Sequence, residues 1–103
     1  MAQTPEGRVK TAVKKLLVMH GVYYFMPATH GYGRSGVPDI ICCVNGRFLA
    51  IECKAGKGRV TALQEREMAL IVESGGDAVL VNDEPHTLTA LEHTIESIKK
   101  HPR

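Results

Sequence analysis

No stretch of this 103-residue chain approaches the roughly 18 consecutive apolar residues of a membrane-spanning helix, so a helical membrane protein is excluded. The opening residues, Met1-Ala2-Gln3-Thr4-Pro5-Glu6, lack the charged and then apolar pattern of a signal peptide, and the expectation is an intracellular, cytoplasmic protein. Cysteine is scarce: there are three, Cys42 and Cys43 are adjacent, and no C-x-x-C spacing occurs. That excludes a zinc ribbon or a dithiol redox pair and reads as reduced, packed thiols. No repeat and no low-complexity segment is present, and the length leaves no room for two cores and a linker, so one domain over residues 1–103 is expected. Aromatic residues make up only 5% of the chain, and the one cluster, Tyr23-Tyr24-Phe25, reads as strand and core rather than as a base-stacking platform.

Net charge is also small, at +2, but it is unevenly distributed. Residues 1–66 carry 10 Lys and Arg against 4 Asp and Glu, whereas residues 67–103 carry 3 against 7. A basic first part invites a polyanion, although such a split also arises from solvated faces alone.

Local signals organise the chain in the order αβββαβα. Thr4, Pro5 and Glu6 have the form of an N-cap, a first helical residue and a dipole-complementing acid. Val9, Ala12, Val13, Leu16 and Leu17 then recur at helical spacing, with Lys10, Lys14 and Lys15 on the opposite side, as far as Gly21. Val22 to Met26 reads as a strand, and Pro27 to Gly36 as a glycine-containing loop. Thr61 to Gln64 has the form of a capping box that opens a helix to about Ser74. Ala78 to Val81 reads as a buried strand, and Thr89 with Glu92 as a second capping box that opens a last helix ending near Lys100.

The chemistry is concentrated in a hairpin. Pro38 to Val44 and Arg47 to Lys54 flank Asn45-Gly46, a strong signal for a two-residue turn. Ile41, Cys43, Phe48 and Ala50 fall on one face and Ile40, Cys42, Leu49, Ile51 and Cys53 on the other, so the pair is expected inside a sheet covered on both sides. Counting outward from the turn sets Ile41 opposite Ala50 and Asp39 opposite Glu52, with Lys54 on the same face one pleat further on. Two carboxylates about 5 Å apart repel by about 3 kcal/mol at an effective dielectric near ~20. A proton on one acid, a pair with Lys54, or a divalent cation between them would each relieve this. Oxygen ligands suit magnesium or manganese rather than zinc, and a hard cation beside a lysine in a basic region suits phosphodiester hydrolysis.

Gly36-Val37-Pro38-Asp39, then Glu52-Cys53-Lys54, then Gln64 on the next helix, resembles the PD-(D/E)xK nuclease superfamily and most closely its VRR-NUC branch. The likeness runs over roughly residues 4–82. It implies a restriction-endonuclease-like α/β fold with an αβββαβ core and a mixed central sheet flanked by helices. It also implies a Mg²⁺- or Mn²⁺-dependent deoxyribonuclease selective for branched DNA such as four-way junctions, acting as a homodimer. By position, Asp39, Glu52 and the carbonyl of Cys53 match the metal ligands and Lys54 the catalytic lysine. Glu6 matches a helix-borne acid that assists the metal in relatives, and Gln64 a catalytic-site glutamine. Each of these last two has a local explanation as well, Glu6 as a first-turn acid and Gln64 as the far end of the capping box. Arg34, Ser35, Lys57 and Arg59 are the candidate phosphate contacts. The five histidines show no metal-ligand spacing, and His30, in the glycine loop near the site, is given no role. The last helix and residues 78–82 are the expected dimer surface. A nucleic-acid-binding module that keeps the fold without turnover is the alternative; the presence of Asp39, Glu52 and Lys54 together weighs against it.

Overall fold

The computed structural model describes residues 3–28 and 33–101. The first helix, α1 (Pro5–Met19), starts as its sequence dictates: Gly7 N–H donates to Thr4 Oγ1 at 3.0 Å and Pro5 occupies the first turn. Strand β1 (Tyr23–Phe25) follows, then β2 (Ile40–Val44) and β3 (Arg47–Cys53), helix α2 (Ala62–Glu73), strand β4 (Asp77–Val81) and helix α3 (Pro85–Lys100). The four strands form one sheet in the order β1-β2-β3-β4, with the first two pairings antiparallel and β3–β4 parallel. A parallel neighbour requires a crossover, and α2 supplies it. This is the mixed sheet flanked by helices that the family resemblance implied.

The hairpin register is as counted. Val44 pairs with Arg47, Ile41 with Ala50 and Ile40 with Ile51, so the ladder brings Asp39 to the end of β2 opposite Glu52. At the turn, Asn45 and Gly46 have φ of 50° and 83°, the left-handed pair that a two-residue turn between twisted strands requires. One face of the sheet carries Ile40, Cys42, Val44, Leu49, Ile51 and Cys53, packed on Val9, Val13, Leu16 and Leu17 of α1 and on Leu91, Ile95 and Ile98 of α3. Each large side chain fully buried there stabilises the fold by about 1.5–3 kcal/mol. Across the helices, His20 Nε2 lies 2.8 Å from Glu92 Oε2, and Lys99 Nζ donates to the His20 carbonyl.

The opposite face is only partly covered, which corrects the expectation of a hairpin enclosed on both sides. Helix α2 lies over it without a single buried residue of its own, and Phe48 and Tyr23 remain 44% and 69% exposed. The same geometry leaves Cys43 exposed while Cys42 and Cys53 are buried, so only two of the three thiols are packed as expected. Within the β1 triplet only Tyr24 packs against the core, because edge residues facing α2 find little to meet. Strand β4 is half-buried rather than buried, since it also lies at a sheet edge and Leu80 points outward. The last helix starts at Pro85, with Glu84 as N-cap, four residues before the expected capping box. Thr89 is therefore interior, its hydroxyl donating to the Pro85 carbonyl at 3.3 Å. Proline suits the first helical position and fixed the start before Thr89 could.

One contact bears directly on the site. Gly36, at φ 79°, lies so close to α2 that a Cβ there would meet the Leu63 carbonyl carbon and oxygen at 2.6 Å and Gln64 N at 2.9 Å. The turn before Asp39 is thereby docked against the first turn of α2. Gly36→Ala combines a left-handed φ with a backbone clash, and a loss of about 2–4 kcal/mol in urea unfolding is the expected outcome.

Candidate active site

The site lies at the end of the hairpin remote from the turn, where β2 begins and β3 ends. Asp39 is held there by its backbone neighbour across the ladder: Cys53 N–H donates to Asp39 Oδ2 at 2.8 Å. Its other oxygen, Oδ1, is 3.7 Å from Lys10 Nζ, and the same ammonium is 3.3 Å from Glu6 Oε2. Asp39 is thus supported on both oxygens.

Glu52 is not. Only 1% of the residue is exposed, and neither carboxylate oxygen has a hydrogen-bond partner among the described residues. Burial pushes its carboxyl up to about 8, the facing Asp39 adds to the rise, and Lys54 opposes it. A buried charge with no donor is costly, and near neutral pH this group either holds a proton or needs a cation. An orphaned buried carboxylate opposite a fixed aspartate, in an all-oxygen donor set, fits a hard divalent ion.

Lys54 follows one pleat beyond Glu52, half-buried, with its backbone N–H tied to the Val81 carbonyl at 3.0 Å. Among the described residues it forms no ion pair with Asp39 or Glu52, so the purely structural remedy for the facing acids is not taken. The cation that reaches Asp39 is Lys10, placed by helical spacing on the face away from the core. It stands at the flank of α1 and near its start, where a side chain extends past the core edge to the end of the sheet. The only sequence signal was its position four residues after Glu6.

Glu6 reaches Lys10, and among the described residues no three His, Cys, Asp or Glu side chains gather in a metal-holding arrangement. Gln64 closes the capping box: its Oε1 accepts from Thr61 N–H at 2.8 Å while its own N–H donates to Thr61 Oγ1 at 3.1 Å. Gln64→Glu keeps that acceptor and leaves unfolding free energy within about 0.5 kcal/mol of the parent, whereas Gln64→Ala loses about 1 kcal/mol. Arg34 forks onto Glu67 of α2, with Nη2 and Nε at 2.8 and 3.2 Å from Oε2. Ser35 lies in the exposed turn beside it. Lys57 and Arg59 stand exposed on the loop after Lys54, which is fastened by Gly56 N–H to Asp83 Oδ2 at 3.2 Å. His30 falls outside the described residues.

No family model and no curated protein matches the sequence. Solved structures do resemble it. One described as a VRR_NUC domain protein superimposes with a TM-score of 0.71 at 17% identity, over 93% of this chain and 92% of that one. Another, described as a VRR_NUC domain, gives a TM-score of 0.66 at 20% identity, over 98% of this chain and 100% of its own. Nearly complete mutual coverage with so few shared residues is a statement about architecture: this chain carries the restriction-endonuclease-like fold of VRR_NUC domain proteins.

Proposed function

We propose that this protein is a member of the VRR-NUC nucleases, a Mg²⁺- or Mn²⁺-dependent endonuclease that hydrolyses DNA phosphodiesters by recognising backbone shape. The observation that carries this reading is Glu52, a fully buried carboxylate with two orphaned oxygens facing Asp39 across a hairpin whose next pleat bears Lys54. A structural ion pair would have consumed those oxygens. Asp39, Glu52 and the Cys53 carbonyl would hold the ion, which supplies polarisation of a phosphate oxygen and a more acidic bound water.

The protein's own residues do the rest. The Cys53 N–H fixes Asp39 in one orientation, and burial keeps water away from Glu52. Lys54 orients the attacking water and offsets the charge that develops on phosphorus. Lys57 and Arg59, exposed and without an ion pair among the described residues, grip the flanking backbone; Arg34 would have to leave Glu67 to join them. Among the described residues there is no additional helix or ribbon shaped to read base edges, which favours structure over sequence as the selected feature. Branched DNA, cut by a homodimer with paired sites, is the substrate we assign on the strength of the family resemblance.

The pure protein, incubated with labelled linear duplex, single-stranded, flap and four-way-junction DNA, is expected to cut the branched forms with Mg²⁺ or Mn²⁺ and none with chelator. Cleavage that survives chelation would sink the mechanism. Binding of all substrates without cleavage under any metal would instead establish the non-catalytic module.

A further inference from the structure

Resting on the metal-dependent reading above, we propose that Lys10 is a cation built into the site, filling the position between Glu6 and Asp39 so that the protein binds one divalent ion rather than two. The ammonium lies 3.3 Å from Glu6 Oε2 and 3.7 Å from Asp39 Oδ1, touching both acids at once.

The oxygens divide accordingly. Asp39 gives Oδ2 to the Cys53 N–H and Oδ1 to Lys10, and Glu6 gives Oε2 to Lys10. Only Glu52, nine-tenths buried and more, keeps both oxygens unclaimed. Of the three carboxylates, Lys10 is the cation that touches two, Glu6 and Asp39. Lys54 pairs with none of the three among the described residues and remains available to substrate. With the ammonium removed, Glu6 Oε2 and Asp39 Oδ1 would lose the cation they share and become free as hard oxygen donors for a further divalent ion. The side chain of Lys10 is itself only 28% exposed, so the space it would vacate is bounded by protein on most sides.

Equilibrium binding of Mn²⁺ alone, without DNA, tests this by counting ions. The parent protein is expected to bind one ion and to lose it in Asp39→Ala. Lys10→Met is expected to bind two, the second disappearing again when Glu6→Gln is added, while Lys10→Arg binds one. The first ion is also expected to bind about tenfold more tightly in Lys10→Met, because a neighbouring positive charge has gone. One ion in both the parent and Lys10→Met overturns the inference, whatever the affinities, and leaves the nuclease reading standing; so does a parent that binds two. A parent that binds no Mn²⁺ removes the metal-dependent reading itself. If Lys10→Met fails to fold by thermal melting, Lys10→Gln, which keeps a polar group near both acids, is counted instead.

Discussion

In chelator, the unfolding free energy of this protein is expected to fall by about 3–5 kcal/mol between pH 5 and pH 8, and Glu52→Gln is expected to abolish most of that fall. The cause is a carboxyl raised from 4.5 to about 8 by burial and by Asp39. Between those values the folded protein holds a proton that the unfolded chain has released. Stability from this group is therefore complete below about pH 4.5, declines as pH rises, and is gone above about pH 8. A domain of this size has only about 5–15 kcal/mol in hand, so the decline is a large share of the total. Mg²⁺ or Mn²⁺ at pH 8 is expected to restore it, since the ion takes the place of the proton. Urea titrations of parent and Glu52→Gln at pH 5 and pH 8, with and without metal, give the answer. Parallel profiles for the two proteins would show that Glu52 is not the buried, uncompensated acid described here.

The second large effect concerns turnover. Lys54→Ala is expected to lower the rate of DNA cleavage at saturating substrate by about 10²–10³, the usual cost of removing one group that stabilises transition-state charge, with Mn²⁺ affinity little changed. The two readouts matter together. Loss of rate with loss of metal would make Lys54 a support for the acids, whereas loss of rate alone places it on the reacting phosphate. Lys54→Arg, which keeps the charge but alters its shape and reach, is expected to recover only part of the rate.

Much of this site could be read from the chain because the hairpin that carries it is local. Asn45-Gly46 permits one tight turn, the turn sets the register, and alternation then places Asp39, Glu52 and Lys54 on one face without knowledge of any other element. The capping signals at Thr4 and Thr61 were equally local and gave helix starts where the structure has them. What escaped depends on distant packing. Lys10 lies on the polar side of α1 by periodicity, yet the crossing of α1 over the sheet end brings it to Asp39, 29 positions along the chain. The exposure of Phe48 and Cys43 follows from how little of the sheet α2 covers, which no periodicity in residues 62–73 reveals. Thr89 and Glu92 matched a capping pattern but lost to Pro85, an instance of two valid local signals competing for one helix start. Arg34 carried no sign of its partner, because Glu67 lies 33 residues further along the chain, in a different element.

Exposed turns are ordinarily where proteins accept inserted residues most freely. The Asn45-Gly46 turn is an exception despite its exposure and its distance of about 20 Å from the acids. One residue added there, if the ladder shifts to absorb it, moves Glu52 and Lys54 to the face that packs on α1 and α3, and drives Cys53 outward. Adding two residues restores the alternation. Under the same shift, however, the pair opposite Asp39 becomes Ala50 in place of Glu52, so length change at this remote tip is expected to be tolerated only where the loop, and not the ladder, absorbs it, and drift in sequence length here is filtered by a site the turn never touches.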